Sequence, residues 1–280
     1  MPLPLLAPCL VQRACARGWA AARTGLLLSL LGLAAAAGAR AAPVAEDLRA
    51  ACNAPVHATV LRPDATRHAA AAIWLDGQRL QWPGAPANGR YRLVHAAAGG
   101  LQATAGEPLR GADTALALQS ATGPLPETLA RQYRHVAAGA VLQLAAADAD
   151  PARLRSLLRG QVLLVREDDA GRVLQVTALQ HAGALDALYP AAEALVDLGV
   201  TLAPAPVATS HFKLWAPTAQ GVWLCRHADD RATADATVPA LQRDEATGAW
   251  QATLGVASGY YTYLVDVWVP GTGLVRQRVS

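Results

Sequence analysis

Carboxylates, histidines and aromatic rings are the side chains of this sequence that could do chemistry, and their spacing decides which chemistry is open. Acids cluster at Glu167-Asp168-Asp169 and at Asp229-Asp230. Two carboxylates can flank a glycosidic bond as acid and nucleophile, but adjacent acids in a predicted turn mainly solvate a loop. Asp148 and Asp150 could ligate calcium, yet Asp150 precedes Pro151 and has simpler work as a helix cap. The seven histidines are scattered, and surface or partly buried structural roles account for them. There is no G-x-S-x-G around a serine, no phosphate-cradling glycine loop and no H-E-x-x-H. No C-x-x-C or Cys/His spacing suggests zinc. No catalytic residue, metal ligand or cofactor is therefore assigned within the chain.

The tryptophans carry more information. Trp74 and Trp82 flank a turn at Asp76-Gly77, while Trp215, Trp223 and Trp268 lie further along. An indole face, negative at its centre, stacks on the apolar and slightly positive C–H face of a pyranose. For any single tryptophan a place in the core is the competing reading. Trp74 with Trp82 is the best pair for a surface platform, and these two are the candidate carbohydrate-binding residues.

The elements that must position them are short strands. Ala71–Leu75 and Arg79–Trp82 read as a hairpin about Asp76-Gly77, closed by Pro83. Val56–Arg62, Tyr91–His95 and Thr114–Gln119 read as further strands, the last with Leu116 and Leu118 on one face. Pro126–His135 suits a short helix. The best helix runs from Asp150 to Gly160, with Asp150 as N-cap, Pro151 at the first helical position and Gly160 at the C-terminal cap. Gln161–Arg166 and Arg172–Thr177 form a hairpin about Asp168-Asp169-Ala170-Gly171. Leu185–Leu198 reads as a helix that Pro190 strains or splits. Pro204-Ala205-Pro206 reads as a linker. Strands resume at His211–Trp215, Gly221–Arg226, Trp250–Leu254, Tyr260–Val269 and Leu274–Val279. No internal repeat is present.

Residues 1–41 read as a signal peptide. Arg13, Arg17 and Arg23 precede an apolar run from Leu26 to Ala37, and Ala39-Arg40-Ala41 offers a cleavage site before Ala42. The run is short for a transmembrane span. Asp47, Glu46 and Arg49 precede Cys52, a poor context for lipidation, so no membrane attachment is expected after cleavage. The expected location is periplasmic or extracellular. The whole chain holds 24 basic and 21 acidic residues. Four of the arginines fall in the leader, so the mature chain is close to neutral and a nucleic-acid partner is not expected. Cys52 and Cys225 remain after cleavage. An oxidising compartment permits them to pair, although Cys52 falls in a stretch, 42–55, expected to be loosely ordered. Cys225 reads as a small buried thiol in an apolar strand. Pairing is left open.

One stretch resembles a known family. His211-Phe212-Lys213-Leu214-Trp215-Ala216-Pro217-Thr218-Ala219-Gln220, followed by Val222-Trp223-Leu224, is similar to the opening of carbohydrate-binding module family 48, the isoamylase N-terminal domain. Gly248-Ala249-Trp250, Gly259-Tyr260-Tyr261-Thr262-Tyr263 and the terminal hairpin through Pro270-Gly271-Thr272-Gly273 agree with it. Ala72-Ile73-Trp74-Leu75-Asp76, Leu80-Gln81-Trp82-Pro83 and Tyr91-Arg92-Leu93-Val94-His95 resemble the β domain that precedes this module in type I pullulanases and limit dextrinases.

The resemblance implies a mainly β chain of two immunoglobulin-like β-sandwiches, the first decorated with short helices. The first would span 56–203, a linker 204–209, and the second 210–280. It implies the non-catalytic portion of an exported debranching enzyme that hydrolyses α-1,6 linkages in pullulan, starch or glycogen-type α-glucan. The catalytic (β/α)8 barrel of glycoside hydrolase family 13 would follow residue 280 and pack against 210–280. Any calcium would belong to that barrel, and the 280-residue chain would be inactive alone. The rival readings are a free-standing glucan-binding protein and a generic exported interaction module.

Overall fold

The computed structural model describes residues 47–58, 68–203, 208–229, 236–255 and 259–280. The expected leader and most of the proline-rich linker lie outside the described residues. The described chain is mainly β and forms one compact unit.

The hairpin predicted about Asp76 is present. Strand β1 (Ala72–Trp74) turns into β2 (Arg79–Pro83). The Asp76 carboxylate accepts from the backbone N–H groups of Gln78 and Arg79, both at 2.7 Å, and from the Arg79 guanidinium at 2.8 Å. A short acidic side chain that satisfies its own turn in this way fixes the turn locally. Six more strands follow: β3 (Arg90–Ala96), β4 (Thr114–Ser120), β5 (Gly139–Leu144), β6 (Gln161–Glu167), β7 (Val173–Thr177) and β8 (Leu179–Gln180). They join one continuous sheet in the order β7-β6-β3-β4-β5-β2-β1-β8, antiparallel except for the β1–β8 pair.

Both faces of this sheet are covered. One carries Trp74, Leu80, Trp82, Leu93, Leu116, Leu142 and Leu164, closed over by α3 (Pro151–Leu157) and α4 (Ala182–Leu188). The other carries Val94, Leu163, Val165 and Val173 beneath Leu101 and Ala103 of the loop after β3. The expected cap of α3 is formed: Asp150 accepts from the Arg153 N–H at 2.8 Å, with Pro151 in the first turn. A shorter helix, α2 (Glu127–Gln132), occupies the 126–135 stretch. Pro190 splits the helix expected over Leu185–Leu198. α4 ends at Leu188, and Pro190–Ala194 forms a 3-10 turn, because proline cannot donate the hydrogen bond that would continue an α-helix.

The second half is a β-sandwich. One sheet orders β13 (Gln242–Arg243), β14 (Ala249–Gly255), β10 (Thr209–Trp215) and β9 (Gly199–Ala203). The other orders β12 (Ala236–Thr237), β11 (Ala219–His227), β15 (Tyr260–Val269) and β16 (Gly273–Val279). Phe212 and Trp250 from the first meet Val222, Leu224, Tyr263 and Val265 from the second. Strand β9 precedes the linker, yet it pairs with β10 from Lys213↔Gly199 to Thr209↔Ala203. The sandwich therefore recruits residues from before Pro204, where sequence punctuation alone places the boundary after them.

Two sequence expectations are corrected at the N-terminus. Residues 47–53 are ordered as α1 (Leu48–Asn53), N-capped by Asp47, and Ala51 and Cys52 are fully buried. Pro55–Ala58 forms a 3-10 turn where a strand was expected to begin. Cys225 is not a lone thiol. It is bonded to Cys52 across 173 residues, with the two Cα atoms 5.7 Å apart. Ala51, Cys52, Cys225, Ala236 and Leu264 form a small core on the outer face of the second sheet. Apolar packing of α1 against that face is the physical reason the cysteines meet.

Candidate carbohydrate-binding site

Trp74 and Trp82 are not a surface platform, which corrects the sequence assignment. Trp74 is 0% and Trp82 7% exposed. Cross-strand pairing sets Trp74 opposite Leu80, and Trp82 shares the parity of Leu80, so both indoles point to the face covered by α3 and α4. Trp74 meets the His181 ring edge-on at 6.2 Å, and Trp82 meets Tyr91 edge-on at 6.1 Å. Neither presents a ring face that a sugar could stack on.

The acid cluster at 167–169 is also assigned by the fold. Glu167 ends β6 with 3% exposure and pairs with Arg92 of the neighbouring strand. Asp168 accepts from the Arg172 N–H at 2.8 Å, and the Asp169 carbonyl accepts from Arg90 at 3.1 Å. Asp148 receives the Arg153 guanidinium at 2.7 Å. The Glu167, Asp168 and Asp148 carboxylates stitch turns and strands together. Asp230 lies outside the described residues. Among the described residues no cluster of three or more His, Cys, Asp or Glu could hold a metal ion.

One tryptophan does face outward beside a cleft. Trp215, the last residue of β10, is 41% exposed. Its indole N–H donates to the Thr247 carbonyl at 2.9 Å, which fixes the plane of the ring. The Thr247 loop is itself held by Asp244, whose carboxylate accepts from Thr247 Oγ1 and from the Ala246 N–H, both at 2.9 Å. Those hydrogen bonds, the backbone one first, hold the Asp244 carboxyl below its ordinary pKa. Trp215 forms one wall of a cleft of about 450 Å3 whose opposite wall comes from α4 and the turn after it: Leu185, Asp186, Pro190, Ala192 and Glu193. Leu195 and Leu198 close one side.

The rim near Leu198 is anchored by an ion pair. Lys213 Nζ lies 2.6 and 2.8 Å from the two Asp197 carboxylate oxygens. Those hydrogen bonds depress the Asp197 pKa. Tyr189 sits at the cleft floor with its hydroxyl accepting from Arg243 at 2.7 Å. Burial pushes its pKa up. The Arg155 and Arg243 guanidinium carbons lie 5.2 and 5.9 Å from the Tyr189 ring centroid. The exposed aromatic surface of the cleft is thus Trp215, and the polar side chains of its lining are two carboxylates, Asp186 and Glu193. From the sequence, Trp215 ends a strand and belongs to the family motif, but Trp74 and Trp82 rank above it as binding residues. The signal that could have found it is its place at a strand end, where alternation stops controlling direction.

With this geometry in view, comparison with known proteins places the chain. Residues 69–187 match the Pullulanase N2 domain. The chain is 29% identical over 223 residues to a pullulanase of Klebsiella pneumoniae, covering 77% of this chain and 19% of that protein. It is 30% identical over 164 residues to the chloroplastic pullulanase 1 of Arabidopsis thaliana, covering 58% of this chain and 16% of the relative. The crystal structure of apo pullulanase from Klebsiella pneumoniae superposes with a TM-score of 0.63 at 27% identity, covering 75% of this chain and 22% of that one. Another Klebsiella pneumoniae pullulanase structure with the same TM-score of 0.63 is a maltotriose complex. The chain spans about a fifth of the length of the Klebsiella relatives. The chain is thus similar to the N-terminal, non-catalytic region of pullulanases.

Proposed function

We propose that the protein to which this chain belongs is an exported α-1,6-glucosidase that debranches pullulan, starch or glycogen-type α-glucan. The observation that carries this reading is the Pullulanase N2 match over residues 69–187, continued by likeness to Klebsiella pullulanase across three quarters of the chain. Among the described residues, the Glu167, Asp168 and Asp148 carboxylates are engaged in turns and ion pairs, which supports a non-catalytic role for this region. Its role is to support a catalytic barrel packed against residues 210–280. Export is supported by the leader pattern of residues 1–41 and by the Cys52–Cys225 disulfide, which persists in oxidising compartments.

Reducing-sugar release from pullulan tests the reading directly. Protein expressed from the natural gene should hydrolyse pullulan, while the purified 280-residue chain should match a buffer blank. Release by the short chain, or none by the gene product, would overturn the assignment; the second result would favour a free-standing binding protein.

A further inference from the structure

The cleft between Trp215 and the α4 turn has no ligand assigned in the reading above, and its chemistry is specific enough to name an occupant. We propose that it is an auxiliary binding subsite for a short, uncharged α-glucan segment, built jointly by α4 with the turn after it and by the β-sandwich. The assignment of glucan rather than another polyol rests on the proposed function; the site itself rests on the following geometry.

A volume of about 450 Å3 lies within the range of small-ligand sites and admits one or two sugar rings. Trp215 is pinned through its ring nitrogen, so little rotamer freedom is lost when a ring stacks on it. Leu185, Pro190, Ala192 and Leu195 supply apolar contact for pyranose C–H groups. Asp186 and Glu193 supply acceptors for hydroxyl donors, and both side chains are exposed at the rim.

Charge selects against other ligands. Among the described lining residues there is no lysine or arginine, Lys213 at the rim is paired with Asp197, and two carboxylates line the cleft, so phosphates and other anions are disfavoured. A quaternary or guanidinium cation is recognised by an aromatic enclosure. Here the second aromatic ring, Tyr189, is already faced by Arg155 and Arg243, which leaves a single open indole. One aromatic face with carboxylate acceptors and an apolar floor matches a neutral sugar best.

Residues 185–198 and 215 come from opposite sides of the junction between the two β regions, so the subsite exists only when both are folded together. That explains why no local sequence pattern announces it. A single stacked ring with two rim acceptors gives weak binding, in the millimolar range (~4 kcal/mol at 1 mM).

The test is titration of the 280-residue chain with maltotriose, followed by tryptophan fluorescence and by calorimetry. Saturable binding is expected, insensitive to added sodium chloride. Trp215→Ala should weaken it at least tenfold, and Asp186→Asn with Glu193→Gln should weaken it several-fold while leaving thermal unfolding unchanged. The double amide variant keeps the test valid should Trp215→Ala unfold through loss of the Thr247 bond. No saturable binding by the unmodified chain, or binding unchanged in the folded amide variant and in Trp215→Ala, would overturn the proposal. Pullulan hydrolysis by the natural gene product with no maltotriose binding here would remove the subsite and leave the enzymatic reading intact. Maltotriose binding here with no such hydrolysis would do the reverse.

Discussion

At the scale of single residues, the buried histidines set a pH dependence. His181 packs against the edge of Trp74, and its Nε2 has no hydrogen-bond partner and no solvent contact. Burial lowers its pKa from 6.5 to about 4. His95 is 7% exposed, with both ring nitrogens unpartnered, and burial lowers its pKa too. A histidine whose folded pKa is depressed stays neutral in the fold while the unfolded chain protonates. Stability is therefore full above pH 6.5 and declines as pH falls toward 4. For His181 the full loss is on the order of 3 kcal/mol. Asp197 and Asp244, whose pKa values are lowered below 3.8, begin to weaken the fold only at the acidic end of this window, so the drop from pH 7 to 5.5 belongs to the histidines. Chemical denaturation at pH 7, 5.5 and 4.5 should show falling stability, and His181→Gln should flatten much of the slope. A slope identical in the variant would mean that His181 is solvated or paired in solution.

At the scale of elements, the N-terminal helix shows what a covalent staple adds to a short segment. α1 has six residues, too few to persist alone, and its only deeply buried side chains are Ala51 and Cys52. Three contacts hold it and the following turn to β16: Arg278 donates to the Cys52 carbonyl, His57 Nδ1 to the Arg276 carbonyl at 3.1 Å, and Gln277 to the His57 carbonyl at 2.8 Å. The disulfide closes a loop of 173 residues in sequence, for which chain-entropy reasoning gives roughly 2–5 kcal/mol. Cys52→Ala with Cys225→Ala should lower stability by about that amount in urea unfolding. It should also expose the segment around residue 50 to protease before the rest of the domain. An unchanged unfolding midpoint would show that packing and the three hydrogen bonds suffice.

At the scale of the whole molecule, the junction between the eight-stranded sheet and the sandwich decides whether the candidate subsite exists. Gln220 of β11 donates to the carbonyls of Ala97 and Arg159 at 2.9 and 2.8 Å, so one side chain bridges two loops of the other region. Arg243 joins the Tyr189 hydroxyl and the Pro217 carbonyl at 2.7 and 3.1 Å. The Trp268 ring of β15 abuts Gly99, where a Cβ would sit 2.2 Å from two of its carbons. Gly99 also has φ of 76°, and its neighbour Gly100 has φ of 95° with nothing within 4 Å of its Cβ position. Both alanine substitutions incur backbone strain, but only Gly99→Ala also collides with Trp268. It should cost about 1–3 kcal/mol more than Gly100→Ala. The gap should close in a Trp268→Ala background. Equal costs in the parent chain would mean that the ring does not pack there.

Sequence alone determined the parts whose causes are local. The Asp76 turn, the Asp150–Pro151 helix start, the split at Pro190 and the alternation of Leu116 with Leu118 each follow from residues a few positions apart, and each stands in the structure. The resemblance of the Trp74–His95 and His211–Leu224 segments to debranching enzymes likewise lies in short contiguous patterns. The tertiary structure decided everything that depends on what covers a face. Alternation puts Trp74 and Trp82 on one side of a hairpin without saying which side α3 and α4 will close, and they close that one. Glu167 reads as a turn acid until β3 brings Arg92 beside it. Cys52 and Cys225 have no reason in spacing to meet; the outer face of a sheet, apolar and otherwise bare, brings α1 to it. Trp215 is left exposed because β10 ends at that residue, beside a cleft whose other wall lies 17 or more residues earlier in the chain. Local chemistry is written along the chain, whereas burial is a property of partners that only the folded chain supplies.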